Sequence, residues 1–451
     1  MKLFGTNGIR GVVNKELTPE IAMNIGLSIG TYFSSKKIVV GMDARLSGEM
    51  LKQAVISGLI ATGNNVIDVG HIPTPGLQYI VKKYNTDAGV MITASHNPPQ
   101  FNGIKLILSD GVEADKETEK QIENIYFQKS FKLKQWNEVG TYSMDKNANA
   151  VYIEGILENV DVEKIRKRKL KVVIDCSNSV GSLVTPYVMR KLGATVITIN
   201  SHLDGTFPGR NPEPTPEHLQ DLIRSVKATG ADFGVAHDGD ADRAIFIDEK
   251  GNYIWGDKSF AMIADYILEG TNGEILVTPV SSGKLIEEIS QKHNAKIHWT
   301  KVGSINVSRA ILQTHAIVGG EENGGVFLPQ HQPVRDGAMT TAFIANIISE
   351  REKTLSEIIS ELPKYYNYKK RVECPNDMKI KVLEILKEKT KDYRTVTIDG
   401  IKIYKDEGWV LIRPSGTEPI FRIFAESTSQ DKAKELCDFG ENLYKEALNT
   451  L

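Results

Sequence analysis

The sequence predicts an α/β protein: three similar mixed α/β domains followed by a C-terminal α+β domain. Three features predict it. A strand–helix–strand–strand order recurs three times, the third strand of each unit runs into a polar loop, and the pattern changes after about residue 365. Alternating strands and helices of this kind favour a layered α/β architecture.

The first strands are the β-branched runs KIVVGMD (37–43), LKVVIDC (170–176) and EILVTPV (274–280). A helix follows each; in GEMLKQAVISGLIATG, Leu51, Ala54, Val55, Gly58 and Leu59 share one helical face. The second strands are NNVIDVG (64–70), ATVITIN (194–200) and AKIHWTKVG (295–303). The third are AGVMITAS (88–95), ADFGVAHDG (231–239) and AIVGGEENG (316–324). Open α/β sheets bind ligands beyond their strand ends, so the three loops that follow are expected to converge on one site. The tail offers a helix (MKIKVLEILKEKT), a DG-turn hairpin (TVTIDG-IKIYKD), two strands (WVLIR and IFRIFAE) and a closing amphipathic helix. The lysine-rich stretch near PKYYNYKKR reads as a hinge. The expected domains are 1–148, 149–252, 253–362 and 363–451.

Composition narrows the class. A chain of 451 residues has room for roughly two to four domains. With 55 Lys plus Arg against 57 Asp plus Glu, it gives no support for a nucleic-acid or membrane partner. Cys176, Cys374 and Cys437 are far apart and read as reduced structural thiols. No stretch approaches the roughly 20 apolar residues of a membrane span, and MKLFGTNGIRG does not resemble a signal peptide. A cytoplasmic protein is expected.

Four loops carry chemistry. AHDGDADR sets Asp238, Asp240 and Asp242 at alternate positions before Arg243. Three crowded carboxylates need a cation, and their hard oxygens suit Mg²⁺; a solvated acidic turn is the alternative. TASHNPPQFNGIKL holds Ser95 beside His96, with Lys105 further on. A serine on such a turn is expected to be exposed, as a nucleophile or phosphoryl carrier needs, although Ser and Asn-Pro also populate turns for conformational reasons. Lys105 could neutralise phosphoryl oxygens or shuttle a proton. In GGEENGG, Glu321 and Asn323 can bind vicinal sugar hydroxyls, a flexible acidic turn being the alternative. RPSGTEP brings Arg413, Ser415, Gly416 and Thr417, with Arg422 on the next strand, in a pattern fit for a phosphate nest, with a plain hairpin loop as the alternative. The lysine and helix of a nucleotide P-loop are missing.

Together, in this order, the four segments resemble the α-D-phosphohexomutase superfamily of phosphoglucomutases, phosphomannomutases and phosphoglucosamine mutases. The likeness spans essentially the whole chain. FGTNGIRG is similar to the family's first segment, with Arg10 at its arginine; GMDARLSG, FPGRNPEP and TKVGS, with Gly303, also look familial. The resemblance implies four domains around a central active-site cleft. It makes Ser95 the phosphoryl carrier and, with Asp238, Asp240 and Asp242, a ligand of Mg²⁺. Arg10, His96, Lys105 and Arg243 take catalytic roles, and the sugar and phosphate loops bind the substrate. It further implies hexose phosphates as substrates, a hexose 1,6-bisphosphate as intermediate and activator, and a homodimer.

One position departs from the commonest pattern. Where many members have a histidine after the sugar-loop glutamate, this chain has Gly325, so that role is absent or moved to His331 or Arg335. The E-E-N-G-G form looks most like archaeal-type phosphoglucosamine mutases, which implies glucosamine phosphate, with glucose and mannose phosphates as further substrates. A sugar-phosphate phosphatase using the same serine, or a non-catalytic sugar-phosphate sensor, stays open as the alternative.

Overall fold

The computed structural model describes residues 3–5, 8–405, 408–415 and 419–451. Its chain forms two units, Met1–Ser259 with Asn323–Ile359, and Phe260–Glu322 with Ser360–Leu451.

The first unit holds two sheets. One places its strands in the order Ile9–Val12, Phe101–Leu108, Ala88–Ile92, Lys37–Met42, Asn65–His71, Tyr142–Met144. The other runs Tyr253–Ile254, Ala244–Asp248, Phe233–His237, Lys171–Asp175, Thr195–Ile199. In both, the first, second and third strands of the repeat are parallel and the fourth returns antiparallel beside the third. KIVVGM is buried at five of its six positions, as a parallel strand covered on both faces must be. In the second unit Lys296–Thr300, Ile275–Pro279 and Val318–Gly320 pair in parallel in the same relative order.

The expected strand–helix–strand–strand order lacks one element. A helix joins the second strand to the third in every repeat: Thr74–Lys83, Gln220–Thr229 and Ser304–Thr314. Parallel neighbours need a crossover, and these helices supply it. Each shows a buried stripe, Leu77, Ile80 and Val81 in the first case.

Close helix packing explains two glycines. A Cβ on Gly26 would lie 2.4 Å from Val55 O, and one on Gly58 would lie 2.5 Å from Leu27 N. The helices Pro19–Phe33 and Gly48–Ala61 therefore touch backbone to backbone, and Leu51, Val55 and Leu59 are fully buried. Each such side chain contributes about 1.5–3 kcal/mol.

The tail forms an antiparallel sheet ordered Tyr366–Glu373, Ile420–Ser427, Gly408–Pro414, Ile401–Lys405, Thr395–Val396. The helices Lys379–Lys389 and Gln430–Leu448 accompany it. The stretch read as a lysine-rich hinge is its edge strand, Tyr366–Glu373. Its charges suit an edge. Lys370 turns inward to Asp438 and Glu441 of the last helix, each at 2.5 Å, and both raise its pKa. Among the described residues no helix is long and apolar enough to cross a membrane.

Candidate active site

The strand Ala88–Ile92 leads into Thr93, Ala94 and Ser95, and Ser95 takes a left-handed backbone with φ 51°. That conformation costs a non-glycine residue about 1–3 kcal/mol. Its surroundings impose it: Ser95 N donates to Thr93 Oγ1 (2.9 Å), and Ser95 O accepts from Arg45 Nη2 (2.7 Å). Arg45 also donates to the carbonyls of Asn97 (2.6 Å), Pro98 (2.7 Å) and Phe101 (2.9 Å). Asp43 Oδ2 receives Arg45 Nε at 3.1 Å and Thr93 Oγ1 at 2.6 Å. Ser95 is not exposed on its turn, as the sequence suggests, but 1% accessible. Arg45 gathers the loop inward and Gly239 lies against it; a Cβ there would come within 2.4 Å of Ser95 O.

The strand Phe233–His237 delivers Asp238, Asp240 and Asp242, all buried. One oxygen from each lies within 4.8 Å of the others. Ser95 Oγ donates to Asp238 Oδ2 at 2.8 Å. Asp240 Oδ2 accepts from Lys105 Nζ (2.7 Å) and Thr74 Oγ1 (2.6 Å), and Asp242 Oδ2 meets Arg335 Nη2 at 2.5 Å. The other oxygens of Asp240 and Asp242 are buried with no hydrogen-bond donor among the described residues. Buried carboxylate oxygens without donors are costly, and hard oxygens in this arrangement fit a divalent cation such as Mg²⁺. Burial, then the charges of Asp242 and Asp240, push the Asp238 carboxyl well above the usual range. For Asp240 burial acts in the same sense, but Lys105, Thr74 and Arg335 outweigh it and hold the group below the usual range.

Cations surround the triad. Arg243 Nη1 donates to Glu213 Oε1 (2.8 Å), Nη2 donates to His96 Nδ1 (3.1 Å), and Nε lies 3.9 Å from Asp238 Oδ2. His96 Nδ1 is 3.3 Å from Ser95 Oγ. Burial, then the positive charges of Arg243 and Arg10, lower the His96 pKa to about 2, so its ring is neutral near pH 7. Arg10, on the strand Ile9–Val12, donates to Asn97 Oδ1 (2.7 Å) and Ala94 O (3.3 Å).

Asn323 turns its Oδ1 onto Gly325 N at 3.1 Å. A Cβ on Gly325 would lie 2.2 Å from Arg335 Cδ. Of the two residues considered for the role missing at Gly325, Arg335 fills that volume and reaches the triad. His331 goes elsewhere: it stacks on Tyr79 with centroids 5.0 Å apart, and its Nε2 lies 3.4 Å from Asp336 Oδ2.

The remaining candidates belong to the second unit. Glu321 is buried, and Gly303 (φ 124°) precedes the helix Ser304–Thr314. Asp399 Oδ2 accepts from Val302 N (3.1 Å) and meets Arg413 Nη2 (3.1 Å). Ser415 N donates to Ile420 O (2.9 Å), and Ser415 O accepts from Lys379 Nζ (2.7 Å). Arg422 pairs in register with Arg413. Gly416 and Thr417 lie outside the described residues.

Four family profiles match the chain in succession. They are the phosphoglucomutase/phosphomannomutase alpha/beta/alpha domains I (residues 1–133), II (150–251) and III (255–366), and the C-terminal domain (370–441). A phosphoglucomutase/phosphomannomutase of Thermococcus kodakarensis is 50% identical over 99% of both chains. The chain belongs to the phosphoglucomutase/phosphomannomutase family. It is a phosphohexomutase, an isomerase. A phosphoglucosamine/phosphogalactosamine mutase of Sulfurisphaera tokodaii is 44% identical, over 96% of this chain and 97% of that one. Among solved structures, a phosphoglucomutase/phosphomannomutase family protein of Burkholderia thailandensis superposes with TM-score 0.89 at 27% identity, covering 99% of this chain and 97% of that one.

Several supports of this phosphohexomutase's candidate site escape a reading of motifs. Arg45 lies in GMDARLSG and Arg210 in FPGRNPEP, segments that attract notice without showing what they hold. Arg210 repeats the Arg45 device in the second sheet: its Nε meets Asp175 Oδ2 (2.7 Å) and its Nη2 donates to His237 O (2.5 Å), just before the aspartates. Thr74 and Arg335 carry no local signal. Their contacts to Asp240 and Asp242 exist only because distant segments fold together.

Proposed function

We propose that Ser95 is the phosphoryl carrier of a hexose phosphate mutase relay. The observation that carries this reading is the 2.8 Å contact of Ser95 Oγ with Asp238 Oδ2, inside a buried triad ringed by Lys105, Arg10 and Arg243. Phosphorylated Ser95 gives its group to a hexose monophosphate hydroxyl. The bound hexose 1,6-bisphosphate reorients, and its other phosphate returns to Ser95 Oγ. Each transfer breaks one P–O bond and forms another; the hydroxyl proton leaves as the new bond forms and is restored to serine or sugar.

Phosphoryl transfer needs positioning and neutralisation of equatorial oxygens more than covalent help. Arg45 and Thr93 hold the carrier's backbone, Arg243 and Arg10 supply positive charge, and Lys105, beside Asp240, is placed to hold the travelling proton. His96, neutral and accepting from Arg243, orients that guanidinium. Asp238, Asp240 and Asp242, with Ser95, would hold Mg²⁺, which supplies Lewis-acid withdrawal from the phosphoryl oxygens when bound. Burial of Ser95 limits capture of the phosphoryl group by water, which favours mutase over phosphatase chemistry.

Substrate recognition is assigned to Glu321 and Asn323 for sugar hydroxyls, and to Gly303, Arg413, Ser415, Gly416, Thr417 and Arg422 for the non-reacting phosphate. The sugar is proposed to be glucosamine phosphate, with glucose and mannose phosphates as further substrates; names of the two relatives support both classes. The domains are assigned to 1–148, 149–252, 253–362 and 363–451. The test is intact-mass measurement of the purified enzyme. A phosphate on Ser95 that hexose monophosphate removes supports the relay, and Ser95→Ala with substantial mutase turnover in the presence of bisphosphate overturns it.

A further inference from the structure

In the tail sheet the edge strand Tyr366–Glu373 pairs with Ile420–Ser427, which pairs in turn with Gly408–Pro414. The two registers bring three arginines into one cross-strand row, Arg371 opposite Arg422 and Arg422 opposite Arg413. Residues directly opposite in antiparallel strands share a face, with Cβ atoms about 4.5–5.5 Å apart, and like charges there destabilise the sheet.

Its face can be identified. Phe421, Ile423 and Ala425 alternate with Arg422 and sit in the tail's buried core, so Arg422 stands on the opposite face. Trp409 and Leu411, on the same face as Arg413, pack with Val280, Trp299 and Phe424. Arg371 shares its side of the edge strand with Lys369, whose Nζ reaches Glu322 of the sugar loop at 2.7 Å. At the inner end of the row Asp399 joins Arg413 to Val302 N, next to Gly303. Arg371, the outer member, is exposed. The row thus stands beside both segments assigned to sugar and phosphate binding.

We infer that Arg371 is a third guanidinium of the phosphate-binding site, extending the pair Arg413 and Arg422 along the sheet so that a phosphate dianion gains a further charge-assisted hydrogen bond. This rests on the assignment of Arg413 and Arg422 to the substrate phosphate. It adds a binding residue that no loop motif contains, supplied by an edge strand.

The test compares Arg371→Ala, Arg371→Gln and Arg413→Ala with the wild type, in steady-state kinetics and in thermal unfolding with and without inorganic phosphate. Loss of one charge-assisted contact raises the KM for hexose 6-phosphate and the inhibition constant of inorganic phosphate by about five- to tenfold, with kcat falling less. The unfolding midpoint of both Arg371 variants without phosphate stays level or rises, since a like charge is removed, while the upward shift produced by phosphate shrinks. Wild-type KM and wild-type phosphate shift in both Arg371 variants overturn the inference, as does a kcat loss with KM unchanged. If Arg413→Ala is equally silent, the phosphate-site assignment itself falls; if it alone responds, only the role of Arg371 does.

Discussion

Arg45→Lys probes the hold on the Ser95 loop. The Arg45 side chain is fully buried, meets Asp43 through Nε, and donates to four carbonyls of residues 95–101. An ammonium has three donors and no planar fork, so it cannot satisfy Asp43 and carbonyls from four residues together. Removing one partner of a buried pair costs about 3–5 kcal/mol, and a lysine that keeps the charge but loses most of the geometry should cost about half of that. Part of the loss falls on Ser95, whose left-handed backbone relies on the Arg45 bond to its carbonyl. If about 1–2 kcal/mol of positioning is lost at the transition state, kcat falls by roughly 5- to 30-fold while KM changes little. The assay follows phosphate loss from phosphorylated enzyme after mixing with hexose 6-phosphate, by rapid quench and intact mass, well below the variant's unfolding midpoint. Transfer within threefold of wild type refutes the positioning argument. So does a loss that tracks only the unfolded fraction.

Further outcomes follow from other parts of the molecule. Ser95→Ala should lose the protein-bound phosphate and at least about 10³-fold of mutase turnover, read by mass spectrometry and coupled assay. Gly325→Ala places a Cβ 2.2 Å from Arg335 Cδ, and the displaced guanidinium should loosen Asp242. A fall of about tenfold or more in Mn²⁺ affinity, measured by the free-ion EPR signal, is expected for such a supporting contact, and unchanged affinity would contradict it. Gly58→Ala puts a Cβ 2.5 Å from Leu27 N and should destabilise by about 1–3 kcal/mol in urea unfolding.

Lys402 gives a pH signature. It is buried among Trp299, Tyr404 and Trp409, with Nζ donating to Ser282 O at 2.9 Å. Burial lowers its pKa from 10.5 to about 8, against the pull of Glu287 and Glu426. The unfolded chain therefore holds more protons between these values, and stability should rise with pH across that window by roughly 3 kcal/mol. Lys402→Met should flatten that rise in urea unfolding at pH 8 and pH 10; an undiminished slope would count against the assignment.

Much of this protein was legible in residue order alone. Strands such as KIVVGM announce themselves because a parallel strand buried on both faces must be continuously apolar, and three repeats of the pattern predict three related sheets. Asp238, Asp240 and Asp242 stand out because three alternate carboxylates crowd charge into five residues, and the fold brings one oxygen of each within 4.8 Å of the others. The crossover helices between strands and the edge strand Tyr366–Glu373 are hard to read from sequence, because short amphipathic and charged stretches carry weak periodic signals. Only the tertiary structure decided that Ser95 is buried against Asp238, that Arg335 rather than His331 fills the space beside Gly325, and that Arg371, Arg422 and Arg413 form one row. Those facts depend on strand register and on contacts between segments from about ten residues to over a hundred apart. Local sequence can state what a side chain is able to bind; packing determines which partner it meets.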